Sequence, residues 1–301
     1  MLLRDLWAPS LILSGLMASP VVESALDQAD GQAPVAESTI TSIYGEDNRR
    51  EVYQTEHSSV QKAIPSVVML ADSTDVRPAG PSRYALSSVP YGESLNLCRS
   101  ERFWQQPRIG FCSGVLVGPN LVLTAGHCVI TERDCANTKL LFDVYYRQSG
   151  ELKLTLPDDQ VRQCKKIITR YNRNSGLDFA LLELDQPVRD RRPVALGLGI
   201  ENPRQVFMLG HPMGLPTKFS GLAKIVRSTK LEWITDLDSS AGNSGSPVFE
   251  GRSGALIGIL TAGEDGDFKS SKCQTSKVCD TKNCFGEVVL KLQAILEHAD
   301  L

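Results

Sequence analysis

The sequence predicts an all-β protein with a short α-helix at its C-terminal end. From residue 66 onward, short runs of branched and apolar residues alternate with clusters of turn-forming residues, which is typical of strands in a barrel or sandwich. A clear helical spacing of apolar residues occurs only in residues 288–298. The eight cysteines, an even number, indicate a compartment in which disulfides form.

The predicted strands fall into two groups of similar design. Residues 185–193 separate them, and this stretch contains two prolines and several charged side chains that favour a crossing between domains. We therefore expect an N-terminal domain of residues 43–190 and a C-terminal domain of residues 191–301. The predicted strands cover residues 66–70, 114–117, 121–124, 140–146, 179–184, 206–209, 222–226, 233–235, 247–249 and 255–260.

The N-terminus predicts export from the cytoplasm. Arg4 precedes a short apolar run, residues 11–18, which is well below the roughly 20 residues that a membrane-spanning helix needs. We expect a signal peptide in residues 1–25, a leader or linker in residues 26–42, and a secreted or periplasmic protein. The rest of the chain contains no segment apolar enough to cross a bilayer.

Composition argues against nucleic-acid binding. The 301 residues are 42% hydrophobic and 22% charged, which is enough apolar material to bury a core. The formal net charge is −3, whereas a phosphate-binding surface needs an excess or a cluster of cations. Only 6% of the residues are aromatic, so base stacking is also disfavoured.

Three short segments carry residue types that can catalyse a reaction together. His127 follows a predicted strand, in a turn of small residues that leaves room for a substrate beside the imidazole. Asp178 opens an apolar strand, where a carboxylate is costly unless a hydrogen-bonding or cationic group meets it. Ser244 lies in Gly-Asn-Ser-Gly, whose glycines permit a tight turn. The order His, Asp, Ser predicts a base, its orienting carboxylate and a nucleophile.

The same reasoning assigns roles to neighbouring residues. The backbone N–H groups of Gly242 and Ser244 are the candidates for an oxyanion hole. His211 lies between a glycine and a proline, His57 precedes the predicted barrel, and His298 lies on the predicted terminal helix, so structural roles are expected for all three. We expect no cofactor and no metal ion.

The segments around His127, Asp178 and Ser244 resemble those of the chymotrypsin-like serine peptidases, particularly the bacterial branch that includes the glutamyl endopeptidases. Residues 44–49 and 210–212 add weaker support, and the resemblance covers residues from about 43 to 297. It implies two six-stranded antiparallel β-barrels packed perpendicular to each other, with the triad in the cleft between them. It also implies hydrolysis of polypeptide substrates through an acyl-enzyme, and we expect a monomer.

The cysteines allow several pairings. Cys112 and Cys128 flank a predicted hairpin that would bring their sulfurs together beside His127, and the family has a disulfide there. Cys135 and Cys164 are a reasonable second pair. The four remaining cysteines can pair in three ways, and a zinc site formed by three of them is a weaker alternative. These four are Cys98, Cys273, Cys279 and Cys284.

The resemblance also points to a specificity pocket. Asp238 lies six residues before Ser244, next to Ser239, where a carboxylate selects Arg or Lys in trypsin-like enzymes. Glutamyl endopeptidases use a histidine on the next strand, and Leu260 stands at that position. Gly263 would keep the pocket open to a long side chain. We therefore expect cleavage after Arg or Lys, with two alternatives: cleavage after Glu, or an Asp238 that turns away and caps its loop.

Two other functions compete with peptide hydrolysis. A protein could keep this fold as a catalytically silent or occluded binding module, although all three triad residues are present. An α/β-hydrolase needs Gly-x-Ser-x-Gly and the order Ser, Asp, His, and the sequence has neither.

The residue before Ser244 differs from that of many animal relatives. Asn243 replaces the aspartate that pairs with a freed N-terminus in those relatives, and an amide cannot form that ion pair.

Overall fold

Two β-sheets dominate the protein, and the first closes into a barrel. The computed structural model describes residues 42–263, 266–279 and 284–299, so the predicted signal peptide and nearly all of the predicted leader lie outside the described residues. The described strands are β1 (Ile43–Tyr44), β2 (Arg50–Glu51), β3 (Val67–Asp72), β4 (Val76–Pro78), β5 (Arg83–Leu86), β6 (Val89–Pro90), β7 (Pro107–Arg108), β8 (Cys112–Gly118), β9 (Leu121–Thr124), β10 (Thr138–Phe142), β11 (Thr155–Pro157), β12 (Val161–Tyr171), β13 (Phe179–Leu184), β14 (Val206–Gly210), β15 (Lys218–Ala223), β16 (Ile225–Ser228), β17 (Glu232–Thr235), β18 (Pro247–Glu250), β19 (Leu256–Ala262), β20 (Phe268–Ser270), β21 (Gln274–Ser276), β22 (Val278–Cys279) and β23 (Glu287–Lys291).

The helices are few and short. The α-helices within the described ranges are α1 (Ser58–Ala63), α2 (Tyr91–Ser94), α3 (Glu132–Ala136) and α4 (Leu292–Leu296). Single 3-10 turns cover Val52–Gln54, Ile64–Ser66, Ser73–Asp75, Asp158–Gln160, Arg173–Ser175 and Pro212–Gly214. The prediction of an all-β protein with a small C-terminal helix is therefore confirmed. Within the described residues, no helix is long and apolar enough to span a membrane.

The first sheet is a closed barrel of six antiparallel strands in the order β10-β12-β13-β9-β8-β3. Strands β8 and β9 form the predicted hairpin, with Gly114 opposite Thr124. Alternate side chains point to the barrel interior, as the two-residue period of a strand requires. The buried side chains of this interior include Val68, Leu70, Leu116, Val122, Leu140 and Phe142.

The second sheet has eight strands in the order β16-β17-β23-β19-β18-β14-β15-β2, compared with the predicted six. Strands β16 and β2 lie at its two edges. The two sheets share one hydrophobic core, in which Leu123 and Leu181 of the barrel pack in the same cluster as Phe249 and Ile259 of the second sheet. This shared core fixes the ends of β9 and β13 relative to the loop before β18.

The segment before the barrel pairs with strands from the second half of the chain. Strand β2 extends the edge of the second sheet through Arg50 opposite Phe219, and β1 pairs in parallel with β22. Helix α1 follows the same course, because Ser59 donates a hydrogen bond to the carbonyl oxygen of Arg252. Residues 43–63, which the sequence places in the N-terminal domain, are thus tied to the C-terminal half.

Several elements depart from the prediction, and three of these departures have a clear physical reason. The longest strand, β12, is missing from the prediction because its charged residues interrupt the apolar pattern. The strand predicted over 140–146 ends at Phe142, since Asp143 has a φ of 60°. The helix predicted over 288–298 is wrong for its first turn, because residues up to Lys291 pair with β17 and β19.

All eight cysteines form disulfides. The predicted Cys112–Cys128 and Cys135–Cys164 pairs are present. The remaining four, whose pairing the sequence leaves open, join as Cys98–Cys273 and Cys279–Cys284. The zinc alternative is therefore wrong, because these sulfurs are held in disulfides and are not available as thiolate ligands.

Candidate active site

The ends of two neighbouring barrel strands bring His127 and Asp178 together. Thr124 lies opposite Ala180 in the β9–β13 pair, so the residues after β9 and before β13 meet at the same end of the barrel. The Nδ1 atom of His127 lies 2.7 Å from Oδ2 of Asp178, and the His127 backbone N–H donates to Oδ1 over 3.0 Å. Asp178 is 5% exposed and thus meets its partner in the interior. The carboxylate therefore orients both the ring and the backbone of His127.

Gly126 makes this approach possible. A Cβ at this position would lie 2.0 Å from the carbonyl oxygen of Tyr171 and 3.0 Å from Oδ1 of Asp178. Only glycine therefore lets the turn before His127 pass between β12 and the carboxylate. Arg170 also stabilises this turn, because its Nε donates to the carbonyl oxygen of Gly126 over 2.6 Å.

A loop of the second sheet brings Ser244 close to Cys128, the residue after His127. Ser244 lies in the loop between β17 and β18, and its carbonyl oxygen accepts a hydrogen bond of 2.9 Å from the backbone N–H of Ser113. The Sγ of Cys128 lies 3.7 Å from the same oxygen. Ser244 is therefore next to the residue that follows His127, and its partly exposed position leaves it open to solvent.

Gly245 seats the loop of Ser244 against the barrel. Its φ is +80°, and a Cβ would lie 2.3 Å from both the carbonyl oxygen of Ser113 and Oγ1 of Thr124. Any side chain here would push the loop away from the end of β9. Both the positive φ and the close packing against the barrel therefore require glycine at this position.

The candidate oxyanion-hole amides face away from the groups that hold their peptides. The carbonyl oxygen of Ala241 accepts from the N–H of Met213, and that of Asn243 accepts from the N–H of Ser246 over 2.8 Å. In a trans peptide the N–H points opposite to the carbonyl, so the amides of Gly242 and Ser244 face away from these anchors. In the part of the chain that the structure describes, neither amide has an acceptor.

Asp238, predicted to lie at the base of a specificity pocket, instead meets the chain's own backbone. The N–H of Tyr44 donates to Oδ1 over 2.8 Å, and the N–H of Asn48 donates to Oδ2 over 2.6 Å. Asp238 is 3% exposed, and burial raises its pKa to about 6 against the opposing effect of these amides. Asp238 therefore turns away and caps backbone amides, as in the alternative drawn from the sequence. The capped residues are Tyr44 and Asn48, however, and not the loop of Asp238 itself.

The other three pocket candidates are also packed. Ser239 is buried, and its Oγ accepts from Nδ2 of Asn243 over 3.2 Å. Leu260 is buried in an apolar cluster of the second sheet. A Cβ on Gly263 would lie 2.1 Å from a carboxylate oxygen of Glu287, so the space beside this glycine holds Glu287. Sequence reasoning missed Glu287, since it lies just before the predicted helix of residues 288–298 and outside every predicted strand.

The remaining histidines lie apart from this pair. His298 is exposed on the segment after α4, and the His57 ring packs 5.6 Å from that of Phe207. His211 is 1% exposed, and burial lowers its pKa to about 3, so the ring is neutral. Its partners, Ser113 and Thr217, are further residues that no sequence pattern singles out.

Comparison with known proteins gives a family match over about half of the chain. A family model of the trypsin-like peptidase domain matches residues 112–259, which include His127, Asp178 and Ser244. This chain carries a trypsin-like peptidase domain. The match begins at the first cysteine of the bridge beside His127 and ends within β19, so the trypsin-like domain spans parts of both sheets.

The trypsin-like domain also has relatives of known name. The chain is 28% identical over 154 residues to a glutamyl endopeptidase of Bacillus licheniformis, which covers 47% of this chain and 46% of that protein. The chain thus matches about half the length of this curated relative. Among solved structures, it is similar to Rv3671c of M. tuberculosis, at 12% identity and a TM-score of 0.48, over 86% of this chain and 95% of that one. It is also similar to the VesB protease of Vibrio cholerae, at 14% identity and a TM-score of 0.49. That match covers 83% of this chain and 65% of the VesB chain.

Proposed function

We propose that the protein is a secreted serine endopeptidase that hydrolyses peptide bonds through an acyl-enzyme, with Ser244 as nucleophile, His127 as general base and Asp178 as its orienting carboxylate. The observation that carries this proposal is the double hydrogen bond from His127 to Asp178, next to the loop of Ser244. The trypsin-like family match, which includes all three residues, supports it.

Each role follows from the chemistry of the group. A serine hydroxyl is a weak nucleophile at neutral pH unless a base removes its proton during attack. His127 takes that proton on Nε2, because its Nδ1 faces Asp178. It then donates the proton to the leaving amine, while Asp178 stabilises the imidazolium. Water attacks the acyl-enzyme in the second half of the reaction with the same base.

The amides of Gly242 and Ser244 would stabilise the tetrahedral intermediate. Attack on the carbonyl carbon turns the substrate oxygen into an oxyanion, and one hydrogen-bond donor at that position typically contributes about 3 kcal/mol of transition-state stabilisation. Both amides lack an acceptor among the described residues, so they are available to a substrate without breaking a bond in the protein.

We also propose a preference for Arg or Lys before the cleaved bond. Asp238 is buried at a predicted pocket position, and the buried carboxylate of Glu287 lies beside Gly263, another predicted pocket residue. The backbone amides on Asp238 exclude a direct ion pair in this conformation, so the preference rests on the negative potential of the two carboxylates. Leu260 offers no donor to a glutamate side chain.

Export is part of the same proposal. Four disulfides in one chain are typical of proteins that fold in an oxidising compartment, and the apolar run of residues 11–18 is the size of a signal-peptide core. Mass analysis of the secreted form with N-terminal sequencing would test this. A mature chain that still starts at Met1 would contradict it.

A serine-directed phosphonate tests the catalytic proposal. We expect an adduct on Ser244 in the wild type and none in Ser244→Ala, with peptide hydrolysis lost in the same variant. Matched peptides with Arg, Lys, Glu or Leu before the cleaved bond then test the specificity. An intact, folded protein that forms no adduct would favour the silent binding module, and faster cleavage after Glu would overturn the proposed preference.

A further inference from the structure

A buried chain of hydrogen bonds lies behind the loop that carries Ser244. The Ser113 hydroxyl donates to the carbonyl oxygen of Gly242 over 2.9 Å, and its Oγ lies 3.2 Å from Nδ1 of His211. On the other side of the ring, Nε2 of His211 lies 2.9 Å from Oγ1 of Thr217. All three side chains are almost completely buried. The chain thus connects the serine loop with barrel strand β8 and with the start of β15.

We propose that His211, acting through Ser113, is a positioning residue that holds the oxyanion loop, defined as residues 241–244, in its catalytic orientation. This inference rests on the proposed function, because it concerns the efficiency of the same oxyanion hole. It gives a role to a histidine that is far too buried to meet a substrate.

The available protons permit one assignment that satisfies every group. Ser113 Oγ accepts from the His211 backbone N–H over 3.0 Å. The hydroxyl has one proton, which it donates to the Gly242 carbonyl oxygen. It can therefore meet Nδ1 of His211 only as an acceptor, which places the ring proton on Nδ1. Nε2 is then an acceptor, and the Thr217 hydroxyl donates to it. The Val144 carbonyl oxygen, 3.1 Å from the same hydroxyl, still accepts from the Thr217 backbone N–H. Because the buried ring is neutral, this pattern persists across the working pH range.

The bond from Ser113 acts on the central peptide of the oxyanion loop. Its carbonyl, that of Gly242, is held by Ser113, and its N–H, that of Asn243, donates to the Ser240 carbonyl over 3.0 Å. A planar peptide fixed at both ends cannot rotate. The peptides before and after it carry the two oxyanion-hole amides, so fixing the central peptide fixes the direction of both.

His211 also holds the loop through its own turn. The turn that follows His211 supplies the N–H of Met213, which donates to the carbonyl oxygen of Ala241. Thr217 ends this segment, and its N–H donates to the Val144 carbonyl over 2.8 Å. The ring of His211 bonds to both Ser113 and Thr217 and thereby braces the turn from inside.

A pair of variants of one residue tests the direction of this coupling. Asn at position 211 places its amide near the position of Nδ1 and can still donate to Ser113, whereas Gln places its amide near Nε2 and reaches Thr217. We expect His211→Gln and Ser113→Ala to lower kcat by about 10- to 100-fold with KM little changed, less than the loss of a whole oxyanion donor. We expect His211→Asn to retain most of kcat, although Gln is closer to histidine in volume.

Two further measurements and a control variant separate positioning from general support of the fold. A peptide boronic acid, which forms a tetrahedral adduct with the serine, should bind His211→Gln and Ser113→Ala more weakly by the same factor as kcat falls. The control His298→Gln, at an exposed histidine, should change neither quantity. Thermal unfolding identifies any variant that fails to fold. If His211→Gln does not fold, the kcat of Ser113→Ala tests the positioning role.

Several results would overturn the proposal. They are equal kcat values for Asn and Gln at position 211, a rise in KM without a fall in kcat, or full kcat in a folded Ser113→Ala. The proposed function is tested separately by the phosphonate adduct on wild-type Ser244. An absent wild-type adduct removes both proposals, whereas a normal adduct with unaffected variants removes only this one.

Discussion

The two regions that meet at the candidate active site are built in different ways. His127 and Asp178 lie at the ends of paired strands of one closed barrel, and the Cys112–Cys128 bridge ties the residue after His127 to the start of β8. Ser244 lies in a loop, and distant segments hold that loop through Ser113, Met213 and the amides on Asp238. One region is positioned by its own sheet and the other by its neighbours.

This difference indicates which residues can be exchanged without loss of function. In the barrel, the distance between base and carboxylate follows from strand register, so few residues outside the barrel should affect it. In the serine loop, several buried polar contacts act together, and their energies are not expected to be additive. Variants of His127 and Asp178 should therefore abolish the chemistry, whereas variants of the residues that support the serine loop should each reduce it only in part.

The largest effect is expected at the two reacting residues. Ser244→Ala and His127→Ala should each lower kcat by about 10⁴- to 10⁶-fold, and the double variant should lose little more, because the two residues act as a unit. Steady-state hydrolysis of a fluorogenic peptide measures this, with His298→Gln as the matched control. Additive losses in the double variant would contradict the joint action of the two residues.

Asp178→Asn should have the next largest effect. The amide can preserve the packing, but its NH₂ group favours the wrong tautomer of His127, and a loss of about 10⁴-fold in kcat is expected. The His127 backbone N–H can still find the remaining oxygen, so the barrel should keep its stability. A fall in kcat that follows a fall in the melting temperature would argue that Asp178 serves the fold instead.

The bridge beside His127 separates covalent from non-covalent support. Replacing Cys112 and Cys128 by serine should lower the free energy of unfolding by about 3 kcal/mol, from the chain entropy of a 16-residue separation. The same replacement of Cys279 and Cys284, which are 5 residues apart, should cost about 2 kcal/mol. Urea unfolding of both variants tests the order, and the reverse order would show that local contacts outweigh chain entropy.

The sequence predicts the first region better than the second for a physical reason. His127 and Asp178 stand at recognisable strand ends, and the partners of Gly126 come from strands of the same barrel, so local patterns carry the information. The β8–β9 hairpin and the two barrel disulfides follow in the same way. Strand β12 escaped prediction because its pattern of buried side chains is irregular and its lysines break the apolar run.

The support of the serine loop depends on contacts between residues far apart in sequence. Ser113 and Gly242 are 129 positions apart, and Tyr44 and Asp238 are 194 apart. No local pattern indicates that a serine in β8 will bond to this loop, or that residues 44–48 will donate two amides to Asp238. The same limit explains why Asp238 looks like a pocket residue in the sequence and caps a distant segment in the structure.

The smallest expected effect concerns the pH dependence of that cap. Burial raises the pKa of Asp238 from 3.8 to about 6, so between these values the folded state holds a proton that the unfolded state releases. The contribution of Asp238 to stability is therefore full below pH 4 and falls as the pH rises through 6. A shift of two units corresponds to about 3 kcal/mol for a fully buried group, and we expect about 2 kcal/mol here.

This change is measured as a difference between variants. The free energy of unfolding of the wild type relative to Asp238→Asn should fall between about pH 4 and pH 7, because asparagine does not titrate. The exposed Asp159→Asn serves as the control variant. A flat difference for Asp238→Asn would show that the amides of Tyr44 and Asn48 compensate the carboxylate fully. In that case the segment before the barrel would hold the serine loop equally well at every pH.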